Sequence, residues 1–165
     1  MSRIIDFYLY DGCTDTGHRL EQIWCWPNSK LEGIHDYIQW VFPTNEQSNF
    51  NPEAPVLDMT DLNAFQAIPY LKARLRRSFE VFLKFLGLKI EEGVVAPGDD
   101  FEERQQLFKT ANHNWLRITR VIRSLRLLGM EVESQDFYRF LKTQPVSVDT
   151  MKFWEAAASE PCQTT

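Results

Sequence analysis

The densest chemistry in this sequence is basic. Between Arg104 and Arg126 there are six Lys or Arg (Arg104, Lys109, Arg117, Arg120, Arg123, Arg126) and no acid. Lys72, Arg74, Arg76 and Arg77 form a second acid-free cluster, so two stretches hold 10 of the 18 basic residues. Such density suits a phosphate, a carboxylate or a nucleic acid. Helical geometry argues against one continuous stripe. At about 100° per residue, arginines three apart drift by about 60° each step, so Arg117 and Arg126 point to opposite sides. The preferred reading is solvated helix faces balanced by acids elsewhere. The formal net charge of −5 also disfavours nucleic acid as the partner.

Arg117 is the more pointed case. On a helical wheel it lies about 90° from the centre of the apolar face, on a boundary shared with His113, Arg120 and Ser124. Leu116 and Leu127 sit among the arginines on the far face, so a second apolar cover is expected there. A boundary Arg between two packed surfaces is either a buried tie or a site residue, and the tie is preferred. Asn112 or Asn114 would cap this helix. Its N-terminus with His113, Arg117 and Arg120 could receive a phosphate or carboxylate. A second helix is expected over Ser29–Phe42. There His35 and Gln39 flank the core stripe, and Trp40 points well away from it. That predicts a helix packed on two sides or, as the second choice, an aromatic partner surface.

Other chemistries find no support in the spacing. The three histidines and three cysteines (Cys13, Cys25, Cys162) give no C-x-x-C, H-x-x-x-H or H-E-x-x-H pattern, so no metal is expected. There is no dinucleotide fingerprint, Walker loop or nucleophile elbow, so no cofactor and no catalytic residue is assigned. Asp99, Asp100, Glu102 and Glu103 read as first-turn helix charges. No apolar run approaches the roughly 18 residues of a membrane helix. Asp6 and Asp11 interrupt the N-terminal apolar stretch, so no signal peptide is expected. An odd cysteine count without paired motifs fits a reducing compartment, and the expectation is cytoplasmic.

The positioning elements are helical almost throughout, in one domain over residues 1–165. Ser29 and Glu32 make a capping box ahead of Leu31, Ile34, Tyr37, Ile38 and Val41, and Pro43 stops that helix. Residues 43–55 read as loop. Asp58 or Thr60 caps a short helix through Phe65. Pro69 opens a long one with the stripe Leu71, Leu75, Phe79, Phe82, Leu83 and Leu86, closing near Gly87. Val81, Phe85 and Leu88 add a second apolar face, so its second half should be buried on most sides. Residues 91–100 read as loop, and Asp99 starts a helix to about Thr110. The Arg117 helix buries Ile118, Val121, Ile122, Leu125 and Leu128 and ends at Gly129. Shorter helices begin at Ser134 or Asp136 and at Ser147, the last running to residue 159. A weaker one lies near Gly17–Trp26, and Arg3–Tyr10 is extended or loosely helical. The expected class is an all-α bundle of about seven to eight helices.

Two of these segments carry a family resemblance. HDYIQWVFP at residues 35–43 resembles the central signature of the conserved domain of opioid growth factor receptors, and NHNWLRITRVIRSLRLLG at 112–129 resembles its second signature. GHRLEQIWCWP, NFNPEAP and KFLGLKI are similar to collinear family pieces, so the resemblance runs from about residue 8 to about 141. The resemblance implies a binding or interaction module without defined catalytic residues, with an unidentified protein or peptide as partner and a small anion as the alternative. The vertebrate receptors bind the peptide methionine-enkephalin, are associated with the nucleus and restrain proliferation. This chain is expected to be closer to the short stand-alone members. The signature positions are His35, Tyr37, Gln39, Trp40, Phe42 and Pro43, then Asn112, His113, Asn114, Arg117 and Arg120. The two signature helices are expected to pack together and to join their polar groups in a network or pocket.

Overall fold

The computed structural model describes residues 2–159, so Cys162 lies outside the described residues. The chain divides into two compact units, Met1–Val81 and Phe82–Thr165, with the boundary inside one helix.

The first unit starts with α1 (Arg3–Leu9), where the hydroxyl of Ser2 accepts from the N–H groups of Ile4 and Ile5. The segment expected to be extended or loosely helical is therefore a capped helix. Then come α2 (Leu20–Trp24), α3 (Asn28–Gly33) and α4 (Ile38–Val41). In α5 (Met59–Ala67) Asp58 is the cap, as its spacing predicts. Its Oδ1 accepts from the Asp61 N–H while Asp61 Oδ2 accepts from the Asp58 N–H, each at 3.0 Å. This reciprocal arrangement satisfies two of the donors left over at a helix start. α6 (Pro69–Phe85) runs across the unit boundary. Leu71, Leu75 and Phe79 are buried in the first unit, and Phe82, Leu83, Phe85 and Leu86 in the second, as the two-faced pattern predicts.

In the second unit, Gly87 turns the chain at φ +81° into β1 (Leu88–Glu91) and β2 (Val94–Pro97). The strands pair antiparallel from Leu88–Pro97 to Glu91–Val94, around Glu92 (φ 51°) and Gly93 (φ 83°). The class is therefore mostly helical with a small sheet, not all-α. Residues 91–100 were expected to be loop because Pro97 and Gly98 read as punctuation. LKIE and VVAP, separated by the two-residue turn Glu92-Gly93 with both φ positive, are in fact a hairpin signal. α7 (Phe101–Arg104) and α8 (Gln106–Lys109) take the place of one expected helix. α9 (Asn114–Leu127) buries Ile118, Val121, Ile122 and Leu125, with Leu128 just beyond its end. It stops at Gly129 (φ +82°), where Met130 N–H returns to the Leu125 carbonyl at 2.8 Å. α10 (Glu131–Leu141) starts three residues ahead of Ser134, and α11 (Val148–Ser159) starts after Ser147 as expected. α9, α10 and α11 pack on one another. Ser134 donates to the Ile122 carbonyl at 2.8 Å, and β2 is tied to α10 by Val95 N–H to Asp136 at 2.6 Å.

Candidate functional site

The first signature lies in the first unit, and its helix is broken. α3 ends at Gly33, and Ile34 is extended (φ −98°, ψ 129°), so the predicted continuous helix over Ser29–Phe42 does not form. Tyr37 is back in helical conformation (φ −87°, ψ −29°) and leads into α4. His35 therefore sits in the connection, exposed, and does not share a helix face with Gln39. The aromatic partner surface, the second choice for this segment, does not form, and the aromatic side chains are packed inside. Tyr37, Trp40 and Phe42 are 2%, 2% and 1% exposed. With the helix broken at Ile34, Trp40 no longer takes its direction from the Leu31 stripe, and it is enclosed. The Phe7 ring lies 5.4 Å from it, and the Arg3 guanidinium 4.7 Å from its centre. Arg3 is itself held by Asp15 at 2.5 Å and by the Glu53 carbonyl at 3.1 Å. The segment is pinned further by Tyr8, whose hydroxyl donates to the Val41 carbonyl at 2.5 Å, and by Tyr37, which donates to the Leu31 carbonyl at 3.2 Å. Burial pushes the Tyr8 hydroxyl well above the usual tyrosine range, so it stays a donor.

Inside this packed segment three buried side-chain atoms have no hydrogen-bond partner in the protein: Asp36 Oδ1, Gln39 Oε1 and Trp40 Nε1. Buried polar groups are paired in nearly all native structures, so such a concentration calls for an explanation. The loop after the signature borders it. Asn51 Nδ2 donates to the Asp36 carbonyl at 3.3 Å. The loop is stapled to itself. Leu57 N–H returns to the Thr44 carbonyl, Gln47 donates to the carbonyls of Pro52 and Ala54, and Ser48 accepts from the N–H groups of Phe50 and Asn51. At its tip Phe50 is 80% exposed.

The second signature lies in the second unit. Asn112 builds the entry to α9. Its Oδ1 accepts from the Asn114 N–H at 2.9 Å, and its Nδ2 donates to the carbonyls of Leu107 and Thr110. Asn114 is fully buried, and its Oδ1 accepts from Arg117 at 3.2 Å. Arg117 is 4% exposed, while His113 is exposed and Arg120 half-buried. The second apolar cover expected over Leu116 and Leu127 exists only in part. Leu127 is buried, but Leu116 is 59% exposed. Asn112, Asn114 and Arg117 thus form one connected group. His35 and Gln39 belong to the other unit.

Several basic residues have structural uses that spacing did not reveal. Arg104 donates from two nitrogens to the Phe85 carbonyl, passing where any side chain at Gly87 would clash. Arg126 and Gln135 donate to the carbonyls of Ala157 and Ala158, which lack partners inside α11. Arg74 stacks between Trp24 and Tyr70, with ring centres at 4.9 and 5.6 Å, and pairs with Glu21. Burial alone would push the Glu21 carboxyl up, but the Arg74 contact holds it below its ordinary value. Trp24 and Arg74 carried a readable hint, an aromatic and an Arg on two amphipathic helices. Asp36 carried none, being a polar residue in a turn. Among the described residues no three or more His, Cys, Asp or Glu gather as a metal site, and no helix is long and apolar enough to cross a membrane.

Both signature segments lie within a match to the family described as opioid growth factor receptor conserved region, which covers residues 11–154. The chain belongs to that family. It is similar to opioid growth factor receptor from Mus musculus (36% identical over 113 residues, 67% of this chain and 18% of the relative). It is also similar to the Homo sapiens receptor (35% over 113 residues, 67% and 16%). Opioid growth factor receptor-like protein 1 from Mus musculus is 32% identical over 139 residues, 83% of this chain and 30% of that protein. The chain therefore spans less than a third of the length of these relatives. No solved structure matches it.

Proposed function

We propose that the chain is a non-catalytic binding module of the opioid growth factor receptor conserved-region family, with a protein or peptide as its partner. The observation that carries this reading is the first signature. It is rigidly packed, yet it buries polar atoms that the protein itself does not pair. Folding alone would favour apolar groups there, because a buried unpaired donor or acceptor costs about 1–3 kcal/mol. Sites that break such rules are characteristically functional. Four of the clustered cations, Arg74, Arg104, Arg117 and Arg126, are engaged by the chain's own groups, which weakens a catalytic or phosphate cluster. The exposed, unpaired thiols of Cys13 and Cys25 suit a reducing, cytoplasmic setting.

Two relatives are named as receptors for opioid growth factor, so that peptide is the first ligand to test. Titration during thermal unfolding should raise the melting temperature saturably, by about 2.7 kcal/mol of stabilisation at a hundredfold excess over the dissociation constant. No rise at any peptide concentration counts against this partner. A second reading is a phosphate, nucleotide or other anion binder, or an uncharacterised enzyme, using His113, Arg117 and Arg120. It is favoured by the exposure of His113 at the start of the 14-residue helix α9. Inorganic phosphate and ATP at low and high salt test it, because an anion site loses its effect as salt rises.

A further inference from the structure

We infer that the outer edge of β1 is a self-association surface, on which two copies of the chain pair their β1 strands antiparallel with Ile90 opposite Ile90. This surface lies wholly in the second unit and owes nothing to the first signature. The hydrogen bonds of the hairpin show where it is. Around the two-residue turn, Glu91 and Val94 bond to each other. Bonded and unbonded pairs alternate along an antiparallel ladder, so Lys89 and Ala96 bond next. The N–H and carbonyl groups of Ile90 and Val95 therefore point away from the hairpin's own ladder. The two outward edges differ. On β2, Asp136 takes the Val95 N–H at 2.6 Å, Pro97 has no N–H, and the strand packs on α10. On β1, among the described residues, nothing pairs with the N–H or carbonyl of Ile90. Ile90 is half-buried, and Lys89 and Glu91 beside it are exposed. An open strand edge is a template for another strand, and proteins commonly blunt it. This hairpin blunts β2 and leaves β1 open.

Charge selects the occupant. Lys89 Nζ and Glu91 Oε1 lie 3.0 Å apart, two positions along the strand and so on one face of it. A strand laid antiparallel across Ile90 must offer an acid opposite Lys89 and a base opposite Glu91. Read in its own direction, such a strand runs base, spacer, acid. Lys89-Ile90-Glu91 is in that order itself. Pairing two copies about Ile90 sets Lys89 of each opposite Glu91 of the other, and the four charges alternate in sign. Two N–H···O bonds join the Ile90 pair, and the two half-buried Ile90 side chains meet on the opposite face. The register that sets Lys89 opposite Lys89 brings like charges together and is disfavoured. The product is a four-stranded antiparallel sheet in which both outer strands are β2, the blunted edge. Association therefore closes at two copies, with the same patch used by each.

The test is sedimentation equilibrium of the intact chain up to roughly 1 mM, because so small a contact belongs at the weak end of the affinity range. The average mass should rise reversibly toward twice the monomer, and less so in high salt. Lys89→Glu and Glu91→Lys each set like charges opposite one another in the pair, so each alone should weaken association at least tenfold. Mixed in equal amounts, the two variants oppose complementary charges again and should associate at least as well as the wild type. Both positions are exposed, so both variants should melt with the wild type. The exchange of the Ile90 amide hydrogen should slow as wild-type concentration rises. A wild type that stays monomeric at the highest concentration overturns the inference. Variants that associate like the wild type place the contact elsewhere and overturn it too. So does a mixture no better than its components, or an Ile90 amide whose exchange ignores concentration.

Discussion

Tyr8→Phe isolates one hydrogen bond in the support of the first signature. Tyr8 is fully buried, its ring is edge-on to Phe7 and Phe65 at 5.8 and 5.2 Å, and its hydroxyl donates to the Val41 carbonyl. Phenylalanine keeps the ring and its packing, so no large cavity opens. What is lost is the bond itself, about 1 kcal/mol net, and the Val41 carbonyl is left buried without this donor, which brings the cost to about 1–3 kcal/mol. For a chain of this size each kcal/mol lowers the melting temperature by roughly 2–4 °C. Urea unfolding should show a lower midpoint with the slope unchanged, because the area exposed on unfolding barely changes. The companion Tyr37→Phe, whose bond to the Leu31 carbonyl is longer at 3.2 Å, should cost less. A Tyr8→Phe loss below about 0.5 kcal/mol, or a larger effect from Tyr37→Phe, would refute the reasoning.

Three further outcomes follow from single contacts. Burial pushes the Asp61 carboxyl above its ordinary value, against hydrogen bonds from Ser2 and Asp58 that pull it down. A raised carboxyl contributes stability that is present at acid pH and lost as pH rises through its folded value. Asp61→Asn, which keeps an oxygen for the Asp58 N–H, should therefore gain on the wild type between the usual carboxylate range and neutrality; parallel stability–pH curves would contradict this. Gly12→Ala should be strongly destabilising, because a Cβ there would stand 2.6 Å from the Phe7 nitrogen and 2.7 Å from the Asp6 carbonyl carbon, and calorimetry showing a change under about 0.5 kcal/mol would contradict that contact. Glu21→Gln should cost under about 1 kcal/mol, since Glu21 is half-exposed, and the loss should shrink in high salt; a salt-independent loss would show that the Arg74 pair is not an ion pair at all.

The parts of the fold that could be read were those set by local rules. The Asp58 cap, the α6 stripe and the Gly129 stop each depend on neighbours within a turn or two. The α3–α4 region misled because Leu31, Ile34, Tyr37, Ile38 and Val41 keep a helical period although the backbone between Gly33 and Tyr37 is not helical. Gly33, with the polar pair His35-Asp36 beyond Ile34, was the local hint of that break. The hairpin was obscured by Pro97 and Gly98, although Glu92-Gly93 between two apolar runs carried its signal. Arg104, Arg117 and Arg126 looked like an anion surface because a sequence shows charge but not the carbonyl or amide that a long side chain reaches. The burial of Arg117 was legible from its wheel position, whereas the enclosure of Trp40 depends on Phe7 and Arg3, more than thirty residues away. Asp36 could not be foreseen, since a polar residue in a turn is the commonest of observations.

The central claim is that the first signature keeps its polar atoms for binding and not for folding. Thermal unfolding of Gln39→Leu beside the wild type tests it most directly. Gln39 is 4% exposed with its side-chain oxygen unpaired, so the account predicts a melting temperature equal to or above the wild type, with up to about 1–3 kcal/mol gained. A loss of that size would contradict the account and make the signature a folding device.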